Sequence, residues 1–131
     1  MTSSLTPESL RLAAEAARER YRTGRVHALL VAGSGLQLAV PGWQATDEIG
    51  LGELLPLEMH ELMGHAHTVS LWRRDDETLM VMNGRLHMYQ GYEAWEVVAP
   101  VRLAALLGAE VMLATNATGA LDPAIVDGAS T

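Results

Sequence analysis

Leu10, Ala13, Ala14, Ala17 and Tyr21 recur at the spacing of one helical face. Thr6-Pro7-Glu8 just ahead supplies a hydroxyl N-cap, a proline for the first turn and an acid near the positive end of the helix dipole. Arginines crowd the last turn, and Gly24 is the expected C-cap. The pattern then changes. Val26–Ala32 (VHALLVA) is a short apolar run into Gly33-Ser34-Gly35, which predicts a buried strand ending in a glycine-rich turn. From Val40 to Met63, proline, glycine, acids and leucines mix without a period, so an irregular segment with one helical turn is expected.

Two runs, Thr68–Trp72 and Leu79–Met82, flank Arg73-Arg74-Asp75-Asp76-Glu77 and predict a β-hairpin with a charged turn. The second strand is expected to continue through Asn83-Gly84 into Arg85–Tyr89. Glu93–Leu107 reads as helix, with Val97, Val98, Val101, Ala104, Ala105 and Leu107 apolar and a kink or restart at Pro100. Gly108 closes it. Glu110–Thr115 (EVMLAT) predicts another short buried strand, ending at Asn116-Ala117-Thr118-Gly119-Ala120. The order is helix, strand, loop, hairpin, helix, strand, an α/β arrangement. In open α/β sheets ligands sit at the carboxyl ends of strands, which makes the two small-residue turns natural site walls.

Composition removes whole classes of chemistry. The chain has 131 residues, 49% hydrophobic and 19% charged, which suits one domain with a real core. Its net charge of −7, with no basic run, argues against nucleic-acid binding. Cysteine is absent, which excludes disulfides, thiol nucleophiles and cysteine-ligated metals. Lysine is absent too, and all nine basic residues are arginine. A P-loop and Schiff-base chemistry are thereby excluded. Any anion site must use Arg, His, hydroxyls and backbone N–H groups. No targeting or membrane-spanning pattern is visible, so a cytoplasmic protein is the expectation.

Three groups could carry chemistry. Arg85, His87 and Tyr89, at a spacing of two in an extended chain, would share one face, with Leu86 and Met88 on the other. Guanidinium, imidazole and phenol in a row suit an oxyanion, and equally an ordinary solvated strand face. Gly33-Ser34-Gly35 can turn consecutive N–H groups toward an anion, but also suits a plain turn. It lacks the third glycine of the dinucleotide fingerprint, where Leu38 stands, and the flanking glycines of a nucleophile elbow. His60, His65 and His67 invite a metal reading, yet the HExxH spacing is missing and no metal is expected. His27, in an apolar strand, reads as a satisfied core histidine.

Taken together, the run from Asn83 to Pro123 (NGRLHMYQGYEAWEVVAPVRLAALLGAEVMLATNATGALDP), with GSGL at Gly33–Leu36 and Gly64-His65-Ala66 upstream, resembles the trimeric-type purine nucleoside phosphorylases. The likeness extends from about Val26 to Pro123. It implies a partial three-layer phosphorylase/hydrolase-like α/β fold, a mixed β-sheet flanked by helices. Residues 1–25 would be an N-terminal helix, 26–123 the phosphate-site half and 124–131 a tail. In such enzymes inorganic phosphate, a co-substrate and not a cofactor, attacks the anomeric carbon of a purine nucleoside of the inosine/guanosine class.

By that resemblance Ser34, Gly35, Arg85, His87 and the backbone of Ala117 bind phosphate, with Arg85 and His87 catalytic. His65 belongs to a lid, Tyr89 contacts ribose and Asn116 shapes the phosphate turn. Gln90 replaces the family's usual Glu, Thr118 and Ala120 replace Ala and Gly, and His67 replaces Gly. Family chains run to about twice this length, so the base-binding half would come from elsewhere. The resemblance also implies a homo-oligomer, trimer or higher, with a second polypeptide as another possible source of the missing half. A non-catalytic phosphate- or nucleotide-binding module and a decayed fragment stabilised by oligomer packing are the alternatives.

Overall fold

The computed structural model describes residues 5–32, 40–56, 67–115 and 121. Helix α1 spans Pro7–Tyr21. Its start is a reciprocal cap: the Ser9 N–H donates to Thr6 Oγ1 at 3.0 Å, and the Thr6 N–H donates to Ser9 Oγ at 2.7 Å. Thr6→Ala should therefore cost about 1 kcal/mol of unfolding free energy, read by urea denaturation. The C-cap falls at Arg22 (φ 50°), two residues before the expected Gly24, which is itself left-handed at φ 53°. Arg73 takes over the unpaired end of the helix by donating to the carbonyls of Tyr21 and Arg22. Leu10, Ala14 and Ala17 are buried, as the periodicity required.

Five strands follow: β1 (Val26–Ala32), β2 (Gln44–Gly50), β3 (Thr68–Arg74), β4 (Glu77–Asn83) and β5 (Val111–Ala114). They form one mixed sheet in the order β2-β3-β4-β1-β5. β1 is parallel to both its neighbours, while β3 is antiparallel to β2 on one side and β4 on the other. β3 and β4 make the expected hairpin. It turns at Asp75 (φ 52°), a conformation a short polar side chain tolerates, and Arg74 pairs with Glu77 at 2.8 Å. The Arg74 hydrogen bond holds the Glu77 carboxyl below its ordinary pKa.

The register sorts the sheet into two faces. Leu29, Val31, Val69, Leu71, Met80 and Met82 share one of them. They form a single core with Leu10, Ala14 and Ala17 of α1 and with Leu103 and Ala104 of α4 (Ala99–Leu106). Ala28, Leu30, Leu79, Val81, Val111 and Leu113 lie on the opposite face, and none of them belongs to that core.

The segment expected to be irregular holds β2 and the one-turn helix α2 (Leu51–Leu54). β2 escapes sequence reading because it is an edge strand with only Ile49 buried, so no apolar alternation marks it. Asp47, expected in a loop, lies in this strand and pairs with Arg73 at 3.7 Å. β5 is present but not buried: Val111, Met112 and Leu113 are 54%, 51% and 58% exposed. Its apolar composition suggested burial, yet among the described residues only β1 flanks it.

The helix expected over 93–107 is two helices, α3 (Ala94–Val97) and α4, which begins at Ala99. Pro100 sits in the first turn of α4, where a missing N–H costs nothing. Glu96, 5% exposed, caps α3 by accepting from the Glu93 N–H at 2.9 Å. The buried face of α4 is Ala99, Pro100, Leu103 and Ala104; the apolar Val98, Val101 and Ala105 are exposed. His27 is partly buried and accepts from the Thr78 N–H at 3.3 Å, the role of a satisfied core histidine.

Candidate functional site at the carboxyl edge of the sheet

The parallel strands bring three chain exits together. Ala32 pairs with Asn83 across β1 and β4, and Val31 pairs with Ala114 across β1 and β5. Two hydrogen bonds extend the ladders past the strand ends. The Gly84 N–H donates to the Ala32 carbonyl at 3.0 Å, and the Thr115 N–H donates to the Val31 carbonyl at 2.9 Å. Ala32, Gly84 and Thr115 therefore lie along one edge, and Gly33, Arg85 and Asn116 follow them in sequence. Ser34, Gly35, His65, Asn116 and Ala117 themselves lie outside the described residues, as do His60, Thr118 and Ala120.

Arg85, His87 and Tyr89 are described, and they do not form the extended row expected. β4 stops at Asn83. Gly84 takes φ +86°, residues 85–87 have no regular structure, and Met88–Gln90 form a single 3-10 turn. The cause is local. A left-handed glycine ends the strand, and Leu86, 2% exposed, anchors in the core and redirects the chain. Met88, expected beside Leu86, is 62% exposed.

The turn replaces the row with a stack. The His87 and Tyr89 rings lie 4.9 Å apart at 14°, and Arg85 is exposed beside them in sequence. Among the described residues no ion pair engages Arg85, which leaves its guanidinium fork open to an anion. Tyr89 is 82% exposed.

Two further residues shape this edge. Asn83 donates from Nδ2 to Thr68 Oγ1 (3.1 Å) and Ser70 Oγ (2.9 Å), pinning the end of β4 to β3. An asparagine immediately before a glycine was the available sequence signal for a strand terminus rather than a continuation. His67, just ahead of β3, packs against Gly84; a Cβ built there would lie 3.4 Å from His67 Nδ1. Gly84→Val should cost about 2 kcal/mol, because a branched residue is strained at this φ. Urea denaturation reads that loss. No group of three or more His, Asp or Glu that could hold a metal is present among the described residues. Likewise none of their helices is long and apolar enough to cross a membrane.

The chain is similar to known proteins. Purine nucleoside phosphorylase from Bos taurus is 33% identical over 99 residues, which is 76% of this chain and 34% of that protein. The Mycobacterium tuberculosis enzyme is 33% identical over 115 residues, 87% of this chain and 43% of its own length. Among solved structures, Schistosoma mansoni purine nucleoside phosphorylase in complex with inosine superposes with a TM-score of 0.73 at 24% identity, over 92% of this chain and 42% of that one. Its isoform 2, in complex with cytosine and ribose-1-phosphate, gives 0.74 at 25% identity.

The fold is that of part of a purine nucleoside phosphorylase. No family model matches the chain. It spans less than half the length of these phosphorylases: 34% of the bovine protein and 43% of the mycobacterial one. The mixed sheet flanked by helices, expected as a partial phosphorylase fold, is the one observed.

Proposed function

We propose that this chain is the phosphate-binding portion of a purine nucleoside phosphorylase and binds inorganic phosphate at the carboxyl edge of β1, β4 and β5. The observation that carries the reading is the convergence of three chain exits on that edge, with Arg85 unpaired among the described residues beside the His87–Tyr89 stack. Arg85 and His87 would hold the phosphate, with Ser34, Gly35 and the Ala117 backbone completing the cradle and His65 covering it. Tyr89 would face the ribose side, and Asn116 would shape the phosphate turn. In the assembled enzyme the chemistry is cleavage of the glycosidic bond of an inosine- or guanosine-class nucleoside by phosphate. The role of these groups is to position the phosphate and to stabilise charge as the bond breaks.

The 131 residues span 34% to 43% of these relatives, so turnover is proposed only for an assembly in which the base-binding part is also present. A phosphate-binding module without turnover is the second reading. Incubation with inosine and phosphate, with hypoxanthine release and thermal stability both measured, tests the two. The expected result is a rise in melting temperature with phosphate and no hypoxanthine from the chain alone. Phosphate at a hundred times its dissociation constant should add about 2.7 kcal/mol of stability. Unchanged stability at millimolar phosphate would overturn both readings, and phosphate-dependent hypoxanthine release would show that these 131 residues suffice for turnover.

A further inference from the structure

The direction in which Arg85 leaves the sheet is set one residue earlier. Gly84 is left-handed at φ +86°, and a glycine has no side chain of its own to select that conformation among the many open to it. Two contacts hold it there. On one side the Gly84 N–H donates to the Ala32 carbonyl at 3.0 Å. On the other lies the His67 ring. Apart from the two chain neighbours of Gly84, the described atoms within 4 Å of the place a Cβ would occupy are His67 Nδ1 at 3.4 Å and Cε1 at 3.9 Å.

His67 has a firm base. Its carbonyl accepts from the Leu51 N–H at 3.0 Å, and Leu51, 1% exposed, opens α2 inside the core. The next residue, Thr68, pairs with Asn83 across β3 and β4, and the Asn83 amide donates to Thr68 Oγ1 and Ser70 Oγ. A half-buried ring on this base packs against the last link between β4 and Arg85. Beyond Arg85, Leu86 is buried in the core. Arg85 is thus mounted at two points, Gly84 braced by His67 and Leu86 fixed by packing.

We infer that His67 is a positioning residue for the phosphate site: its ring holds Gly84 in the left-handed conformation that carries Arg85 to the anion. The inference rests on the proposal that phosphate binds beside Arg85. Without the ring Gly84 regains its conformational freedom, so Arg85 must be ordered at the moment of binding and affinity falls while the sheet stays intact. Asparagine can place an amide atom where Nδ1 stands, so it keeps the brace.

A double-mutant cycle in phosphate affinity, read by calorimetric titration of the full chain, tests this. His67→Ala should weaken phosphate binding about tenfold, and His67→Asn should keep most of the affinity. In an Arg85→Ala background His67→Ala should cause no further loss, because its effect runs through Arg85. Equal affinity in the unmodified protein and His67→Ala would overturn the inference while leaving the phosphate site standing. So would a loss of the same size with and without Arg85, which would mean that His67 touches the phosphate itself, or a His67→Asn variant as weak as His67→Ala. No phosphate binding by the unmodified protein would overturn the site and the inference together. Should His67→Ala fail to fold, the unmodified protein decides. Its His67 Cε1–H resonance should move through a phosphate titration with the same midpoint as the Arg85 amide, and a His67 signal that stays still would overturn the inference.

Discussion

Replacing Arg85 with alanine should weaken inorganic phosphate binding by about 2 kcal/mol, or roughly thirtyfold in dissociation constant, while leaving the fold intact. The size follows from the chemistry: a guanidinium donating to a phosphate makes charge-assisted hydrogen bonds, and no lysine in the chain can substitute for it. The fold should survive because Arg85 is exposed and, among the described residues, enters no ion pair. Calorimetric titration with phosphate, alongside urea denaturation in phosphate-free buffer, separates the two effects. Unchanged affinity would remove Arg85 from the site. A large loss of stability without phosphate would instead make it structural. Arg85→Lys should recover only part of the affinity, since a point charge lacks the planar fork.

Leu29→Ala should have the largest effect on stability, a loss of about 3 kcal/mol. Leu29 is 1% exposed at the middle of β1, the strand that pairs with both β4 and β5 and faces α4 across the core. Removing its branched end leaves a cavity where strands on both sides are already fixed by hydrogen bonds, so collapse cannot fill it. Against the 5–15 kcal/mol typical of a domain, that is a substantial fraction. Leu12→Ala is the matched comparison. Leu12 is 50% exposed on α1, and the change should fall within about 0.5 kcal/mol. Equal losses at the two positions would mean that the core is not organised around β1.

What the sequence revealed, and what it hid, divides along physical lines. The α1 start and the β3–β4 hairpin are written in neighbouring residues: Thr6 with Pro7, and two apolar runs around Asp75-Asp76. Local chemistry settles such features. β2 was invisible because an edge strand with one buried residue, Ile49, has no hydrophobic alternation to display. β5 misled in the opposite sense: an apolar run implies burial only when something covers it, and composition does not say whether anything does. At the site, the identities of Arg85, His87 and Tyr89 were informative but their geometry was not. A period of two presumes an unbroken strand, and Gly84 with buried Leu86 ends it, turning a row into a stacked pair. Strand-end logic pointed to the carboxyl ends of β1 and β5, and their parallel pairing sets those ends side by side.

The central claim is that inorganic phosphate binds at the carboxyl edge of the three parallel strands. Backbone amide chemical shifts, followed as phosphate is titrated into the full chain, test it most directly. Saturable changes should concentrate at Ala32, Gly84, Arg85, His87 and Thr115, with little change along α1. Absence of saturable shifts at that edge, or shifts confined to the Arg18, Arg20 and Arg22 cluster at the end of α1, would contradict it.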